Sequence, residues 1–309
     1  GPVDVSSLAD GPVTVAVNDG SGSIDTVVQK DTAAPTVGID TPSPVNAANV
    51  AAYTLTGTCS EDTRNVNLTV TDSGAGVINA PIVCGAVTTG TFTITGDLSS
   101  LAEGPISFAV THDDAVGNSA NANAGTTKDT VLPTVAIDPP ATINAANVAT
   151  YTLTGTCSEN GRDVSVIVTD GVTPANVTAT CGAVTPGTFS VSGDLSGFPD
   201  GAIGFGAAHT DEAGNTGNAT AAFALKDTAP PAAPAITSPA DASTVAANPT
   251  ISGTAEPDAI VTVMEGANPV CVSTPATGGN WSCASTLGAG PHTIPATATD
   301  AVGNPGPAS

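Results

Sequence analysis

The chain has 309 residues, of which 40% are hydrophobic and only 3% aromatic, and its 28 acidic residues against 5 basic ones give a formal charge of −23. Such a charge repels DNA, RNA and anionic lipid, which argues against nucleic-acid and membrane-surface partners. Because 22 of the acidic residues are Asp, a turn-former, and Gly and Pro are abundant, the composition favours short strands joined by turns over helices.

The first 31 residues read as the end of a repeat. The segment "SLADGPVTVAV" (7–17) matches "SLAEGPISFAV" (100–110), which lies late in a later repeat. We therefore expect residues 1–31 to supply only the C-terminal strands of a partial repeat. No signal peptide is evident, and no apolar run approaches the roughly 20 residues of a membrane helix.

Two nearly identical repeats follow. "NAANVAAYTLTGTCSE" (46–61) and "NAANVATYTLTGTCSE" (144–159) differ at one position, and Lys-Asp-Thr recurs every 98 residues, at Lys30, Lys128 and Lys226. This tripeptide marks the seam between repeats. The seams divide the chain into a first repeat at 32–129, a second at 130–227 and a diverged third at 228–309, which we expect to lack its last strand.

Within the first repeat, apolar and polar residues alternate with the period of a strand. Val66, Leu68 and Val70 alternate with polar neighbours, and turn signals separate the runs. The predicted strands are 36–40, 52–59, 65–72, 80–84, 90–97, 104–112 and 119–127. Seven short strands in about 98 residues are typical of an immunoglobulin-like sandwich, with an up-and-down barrel as the weaker alternative.

The loop and seam motifs carry a family resemblance. An Asp-x-x-Gly-Asn segment recurs at Asp114–Asn118, Asp211–Asn215 and Asp300–Asn304, and Asp-Thr-x-x-Pro follows the first two seams. These motifs, and the third repeat's "ISGTAEPDAIVTV", resemble the bacterial immunoglobulin-like tandem repeats of large surface adhesins and biofilm proteins. The resemblance implies an all-β fold of tandem immunoglobulin-like β-sandwiches arranged as an elongated rod, placed outside the cell.

Calcium is the main chemical hypothesis for the seams. In the resembled adhesins, seam aspartates bind calcium and stiffen the rod, and calcium prefers six to eight oxygen ligands. We expect the loop before the last strand and the following seam to lie at the same pole. The alternative is that these residues form Asx turns. The candidate ligands are Asp31, Asp40, Asp113, Asp114, Asn118, Asp129, Asp138, Asp211, Asn215 and Asp227. Lys128 could pair with Asp129 and replace part of the cation's charge.

The six cysteines fall two per repeat. Cys59 and Cys84 occupy the positions of Cys157 and Cys181, so the expected disulfides are 59–84 and 157–181, and Cys271 pairs with Cys283. No C-x-x-C pair or zinc spacing is present. One bridge per repeat indicates an oxidising compartment, and each is worth about 3 kcal/mol in the chain-entropy model.

Other residues favour structural roles. His112 and His209 are equivalent positions beside an Asp, but no poised nucleophile motif such as G-x-S-x-G accompanies them, so we expect no enzyme. Tyr53, Tyr151 and Trp281 read as core anchors. An isopeptide bond from a seam lysine is disfavoured, because these lysines lie at repeat ends and not in an apolar core.

Together these features predict a structural, non-catalytic stalk segment of a secreted or surface-anchored bacterial adhesin. It would space a terminal binding domain from the cell, with calcium-stiffened seams. Its partners would be neighbouring repeats of a longer chain or like chains in a fibre. The alternatives are a filament subunit assembled by strand complementation between chains, and an accessory binding module of a secreted enzyme.

Overall fold

A computed structural model describes residues 2–18, 20–74, 76–85, 90–182, 187–274 and 277–309. These residues divide into two compact units. One comprises the chain up to Leu132 together with Asp211–Asn215, and the other comprises Pro133–Thr210 and Thr216–Ser309. Over the described ranges, the structure has no helix of the length and apolarity that a membrane crossing requires.

The first compact unit opens with a hairpin. β1 (Gly11–Asn18) pairs antiparallel with β2 (Ser23–Lys30) along its whole length. Both strands are largely exposed.

The first repeat supplies seven strands and a 3-10 turn at Val50–Ala52. The strands are β3 (Val37–Ile39), β4 (Tyr53–Cys59), β5 (Asn65–Asp72), β6 (Val77–Val83), β7 (Thr91–Gly96), β8 (Gly104–Asp113) and β9 (Ser119–Lys128). One antiparallel sheet has the order β3-β4-β7 and the other the order β6-β5-β8-β9. Two sheets with this pairing form the predicted immunoglobulin-like sandwich.

Alternation along the strands builds the core between these sheets. β4 buries Tyr53, Leu55 and Cys59 and exposes its threonines. β5 buries the three residues that the alternation predicted, Val66, Leu68 and Val70. The ring of Tyr53 stacks on that of Phe108, with centroids 5.7 Å apart. The tyrosine is thus the core anchor that the sequence predicted.

A short parallel contact ties the start of the repeat to its end. Val45 pairs with Lys128 in parallel orientation. The Val45 N–H donates to the Thr127 carbonyl at 3.0 Å, and the Asp129 N–H donates to the Val45 carbonyl at 2.9 Å. Ile143 makes the same parallel contact with Lys226 in the second repeat.

The second compact unit contains the second repeat, with a 3-10 turn at Val148–Thr150. Its strands are β10 (Val135–Ile137), β11 (Tyr151–Cys157), β12 (Asp163–Thr169), β13 (Pro174–Thr180), β14 (Gly187–Gly193), β15 (Gly201–Thr210), β16 (Thr216–Asn218) and β17 (Ala222–Lys226). One sheet has the order β10-β11-β14. The other has the order β13-β12-β15, and both β16 and β17 pair with β15. The long last strand of the first repeat is therefore split in two here.

The third repeat has the same two-layer plan with fewer strands, and a 3-10 turn at Thr277–Gly279. The strands are β18 (Ala235–Ser238), β19 (Thr250–Thr254), β20 (Ile260–Glu265), β21 (Asn268–Val272), β22 (Asn280–Ala284) and β23 (Ala296–Thr299). They form sheets in the orders β18-β19-β22 and β21-β20-β23. Trp281 is buried among Ile251, Val261 and Val263, as predicted for a core anchor.

Each repeat carries one disulfide. The bonds join Cys59 to Cys84, Cys157 to Cys181 and Cys271 to Cys283, as predicted. The repeat register predicted the first two pairs, and the third joins the two cysteines of the diverged repeat. In the first two repeats both sulfurs lie within the apolar core. In the first repeat, the bridge links the end of β4, in one sheet, to the residue that directly follows β6 in the other sheet.

Candidate functional site

The Asp-x-x-Gly-Asn loops share the same hydrogen bonds in all three repeats: the asparagine N–H and side-chain amide both donate to the aspartate. In the first repeat, Oδ1 of Asp114 accepts the backbone N–H groups of Val116, Gly117 and Asn118 at 2.8–2.9 Å. Gly117 has φ of +101°, a conformation that favours glycine. The Asn118 side chain then donates to Oδ2 of Asp114 at 2.6 Å. The aspartate is therefore buried and surrounded by donors.

The asparagine of each loop joins that loop to the preceding seam. Nδ2 of Asn118 donates to the main-chain carbonyl of Asp31 at 3.1 Å. Nδ2 of Asn215 likewise donates to the carbonyl of Asp129 at 2.8 Å. In the second compact unit, Nδ2 of Asn304 donates to the carbonyl of Asp227 at 2.9 Å. We call this contact the asparagine latch.

A second segment completes the latch. The Ala47 N–H donates to Oδ1 of Asn215 at 2.8 Å, and Nδ2 of Asn46 donates to the Ala213 carbonyl at 2.8 Å. Asn144 and Ala145 make the same two bonds, to Val302 and Asn304, also at 2.8 Å. The repeated "NAAN" segments therefore bind the loop. Their near identity in sequence was a signal of this role that the sequence pattern alone did not explain.

The seam lysines form a separate cluster. Nζ of Lys226 lies 2.7 Å from Oδ1 of Asp200, and Thr228 bonds the same carboxylate through its N–H and its hydroxyl. Lys30 and Lys128 have equivalent partners in Asp10 and Glu103, each at 3.3 Å. Lys-Asp-Thr thus recurs because its lysine and threonine bind one acidic residue together. Lys128 pairs with Glu103, so the expectation that it would pair with Asp129 is wrong.

Sequence reasoning missed these acidic partners, although a signal was present. Asp10, Glu103 and Asp200 each stand directly before the glycine that begins β1, β8 or β15. The Lys226 ammonium, helped by the Thr228 N–H, holds the pKa of Asp200 below its usual value. The N–H and hydroxyl of Thr32 do the same for the pKa of Asp10.

The structure corrects the pole at which the loop lies. The expectation that Asp113, Asp114 and Asn118 lie beside the following seam, at Asp129, is wrong. In the structure β8 and β9 are antiparallel: Asp113 pairs with Ser119 beside the loop, and Gly104 pairs with Lys128 at the far end. β9 therefore carries the chain about 33 Å away from the loop. The loop meets the preceding seam, at Asp31.

The remaining candidate ligands are bound locally. Asp113 accepts the hydroxyl of Ser119. The side chains of Asp31, Asp129 and Asp227 each accept the N–H two residues ahead at 3.0 Å, which forms the predicted Asx turns. Oδ2 of Asp40 accepts Thr56 and that of Asp138 accepts Thr154, both at 2.6 Å.

These donor sets do not fit a calcium ion. Calcium needs six to eight free oxygens, and the loop carboxylates face N–H groups. Burial alone would raise the pKa of Asp114 and of Asp300, but the hydrogen bonds donated by Asn118 and Asn304 outweigh it and lower both. Among the described residues, no three or more His, Cys, Asp or Glu side chains gather to hold a metal.

The two histidines hold the backbone. His112 is fully buried; its Nδ1 donates to the Asn65 carbonyl at 3.0 Å and its Nε2 accepts the Glu61 N–H at 3.2 Å. His209 makes the same pair of bonds, to Asp163 and Glu159. Both ring nitrogens are thus used, and neither is placed as a catalytic base.

Comparison with known proteins extends these findings. Residues 235–309 match the model of the bacterial Ig-like domain family. No curated protein sequence matches the chain. The crystal structure of a tetra-tandem repeat from the extending region of a large adhesion protein is 27% identical, covering 88% of this chain and 71% of that one, with a TM-score of 0.30.

Two further solved structures are similar. A structure of a 1.5-MDa bacterial ice-binding adhesin is 22% identical, covers 89% of this chain and 96% of its own, and has a TM-score of 0.38. A three-domain immunoglobulin segment of titin is 12% identical, with coverages of 89% and 98% and a TM-score of 0.41.

Proposed function

Because residues 235–309 match the bacterial Ig-like domain family and the two preceding repeats share their loop motif, we propose that this chain is a non-catalytic structural spacer. It would be a stalk segment of a secreted or surface-anchored bacterial adhesin and hold a terminal binding domain away from the cell. Its work would be mechanical, and its immediate partners would be the neighbouring repeats of the same chain.

The asparagine latch is the observation that carries this proposal. It recurs at Asp31, Asp129 and Asp227, each time joining the loop of one repeat to the seam before it. A hydrogen-bonded contact at every seam restricts the bending that a bare linker would permit. Repeated units with nearest-neighbour contacts are the usual construction of extended proteins.

The disulfides support an extracellular location. All three bridges lie within single repeats, and such bonds persist in oxidising surroundings. Aromatic residues are only 3% of the chain, so each small core gains from a bond that limits the unfolded state. The bridges therefore suit a protein that must stay folded outside the cell.

Small-angle scattering of the whole chain tests the spacer function. A repeat whose longest strand has 10 residues is about 33 Å long. Three repeats and the hairpin placed end to end would have a radius of gyration near 35 Å, whereas a single globule of this size would have about 19 Å. The double variant Asn215→Ala with Asn304→Ala should shorten the maximum dimension, and the exposed Asn218→Ala serves as its control.

A radius of gyration near that of a globule would contradict the spacer function. It would leave the fold of the individual repeats unaffected, because their cores form within each repeat.

A further inference from the structure

The resemblance predicted calcium at the seams, but the donor sets found there do not fit it, so another group must hold these seams. A bridging cation would draw together a carboxylate from the loop and a carbonyl from the seam. In this chain, hydrogen bonds already join the loop carboxylate to the seam carbonyl. The group between them is the side-chain amide of asparagine.

The amide of Asn215 spans the loop and the seam directly. Its Nδ2 lies 2.7 Å from Oδ2 of Asp211 and 2.8 Å from the Asp129 carbonyl oxygen. Its Oδ1 accepts the Ala47 N–H. An amide nitrogen has two hydrogens to donate, and both are used here. Asn215 is buried, so no water is needed to complete the contact.

The arrangement recurs in the second compact unit with nearly the same dimensions. Nδ2 of Asn304 lies 2.7 Å from Oδ2 of Asp300 and 2.9 Å from the Asp227 carbonyl, and its Oδ1 accepts Ala145. Asn118 repeats the two donations, to Asp114 and Asp31. Three separate occurrences make a chance side-chain placement a poor explanation.

The other carboxylate oxygen is equally occupied. Oδ1 of Asp300 accepts the N–H groups of Val302 and Asn304 at 3.0 and 2.8 Å. These N–H groups present their positive ends to the carboxylate, so a cation would have to approach against them. The buried negative charge is therefore balanced by backbone and amide dipoles, as charge-assisted hydrogen bonds allow.

We propose that the asparagine latch takes the place of calcium in this chain, so that its seams are held without any divalent cation. The inference rests on the proposed spacer function, because it concerns what keeps the spacer extended. It applies to the seams at Asp31, Asp129 and Asp227, and it assigns Asn118, Asn215 and Asn304 the bridging role.

Scattering and thermal unfolding of the whole chain, in EDTA and in millimolar calcium chloride, test this inference. The radius of gyration and the melting temperature should be the same in both solutions. A smaller radius of gyration or a lower melting temperature in EDTA, restored by calcium, would overturn the proposal. The absolute radius of gyration tests the spacer function separately: a compact chain in both solutions would refute that function alone.

Two variants test the amide itself. Asn215→Asp and Asn304→Asp keep the side-chain size but replace the donating nitrogen by a second carboxylate oxygen beside Asp211 or Asp300. Each should lower the melting temperature by roughly 10 °C in EDTA, given the sensitivity of small domains. Asn218→Asp adds the same charge at an exposed position nearby and should change it little. Equal melting temperatures for the seam and control variants would refute the bridging role.

Discussion

Chemical reduction of the disulfides should lengthen the mechanical unfolding step of each repeat by an amount set by the length of its disulfide loop. In the oxidised chain, the residues between two bridged cysteines cannot extend when a repeat is pulled open. The loops span 25, 24 and 12 residues in the first, second and third repeats. Reduction frees them.

The magnitudes follow from the length of an extended residue, about 3.5 Å. Reduction should add roughly 85 Å to the steps of the first two repeats and about 40 Å to that of the third. A full 98-residue repeat should then extend by about 300 Å in total, against about 220 Å when its bridge is intact. The bridges should also contribute about 3 kcal/mol each to the free energy of unfolding.

Single-molecule pulling of the chain, with and without reductant, is the assay. In the double variant Cys271→Ser with Cys283→Ser, the step of the third repeat should no longer lengthen when reductant is added. The steps of the first two repeats should keep their increments of roughly 85 Å. Step lengths that do not respond to the reductant would show that these loops are not closed. Equal increments for all three repeats would contradict the pairing in the third.

Three further outcomes are expected. Gly57→Ala should destabilise the first repeat by several kcal/mol, because its Cβ would lie 2.1 Å from a carbonyl oxygen of the neighbouring strand, whereas Gly96→Ala has no atom within 4 Å and should be tolerated; denaturant titration compares them. The hydrogen bond that His292 donates to the Glu265 carboxylate, opposed by burial, raises the pKa of His292. The stabilising effect of this pair is therefore present below the ordinary pKa and is lost as pH rises through the raised pKa. Melting curves of His292→Gln should therefore converge with the wild type in alkali. Lys226→Met should cost about 1 kcal/mol or less by thermal unfolding, since the carboxylate it pairs with is half exposed.

Much of the fold follows from the sequence because two signals agree. Alternation places Val66, Leu68 and Val70 on one face, and the structure buries all three. The repeat register aligns Cys59 with Cys157 and so predicts which sulfurs meet. Strand ends were predicted less well: the strand predicted at 80–84 runs from Val77 to Val83, so its pairing begins directly after Gly76.

The seam chemistry was harder to predict, and the reason is distance along the chain. The partner of Lys226 is Asp200, 26 residues earlier, and the amide of Asn215 reaches Asp129, 86 residues earlier. Neither pairing has a local pattern. Acidic residues near a seam suggested a metal, whereas the asparagine beside them supplies the hydrogens that satisfy those acids. Only the position of the side chains distinguishes these two readings.

The parallel contact between Val45 and Lys128 has a consequence for how a repeat yields to tension. Val45 lies near the start of the repeat and Lys128 at its end, and the two run in the same direction. Opposite pulls on the two ends would therefore slide the segment at Val45 along the end of β9 and strain the two hydrogen bonds between them at once. An antiparallel pair pulled open from one end would instead break its bonds in succession. The parallel pair should therefore make the first repeat, and through Ile143 and Lys226 the second, yield abruptly instead of by gradual peeling.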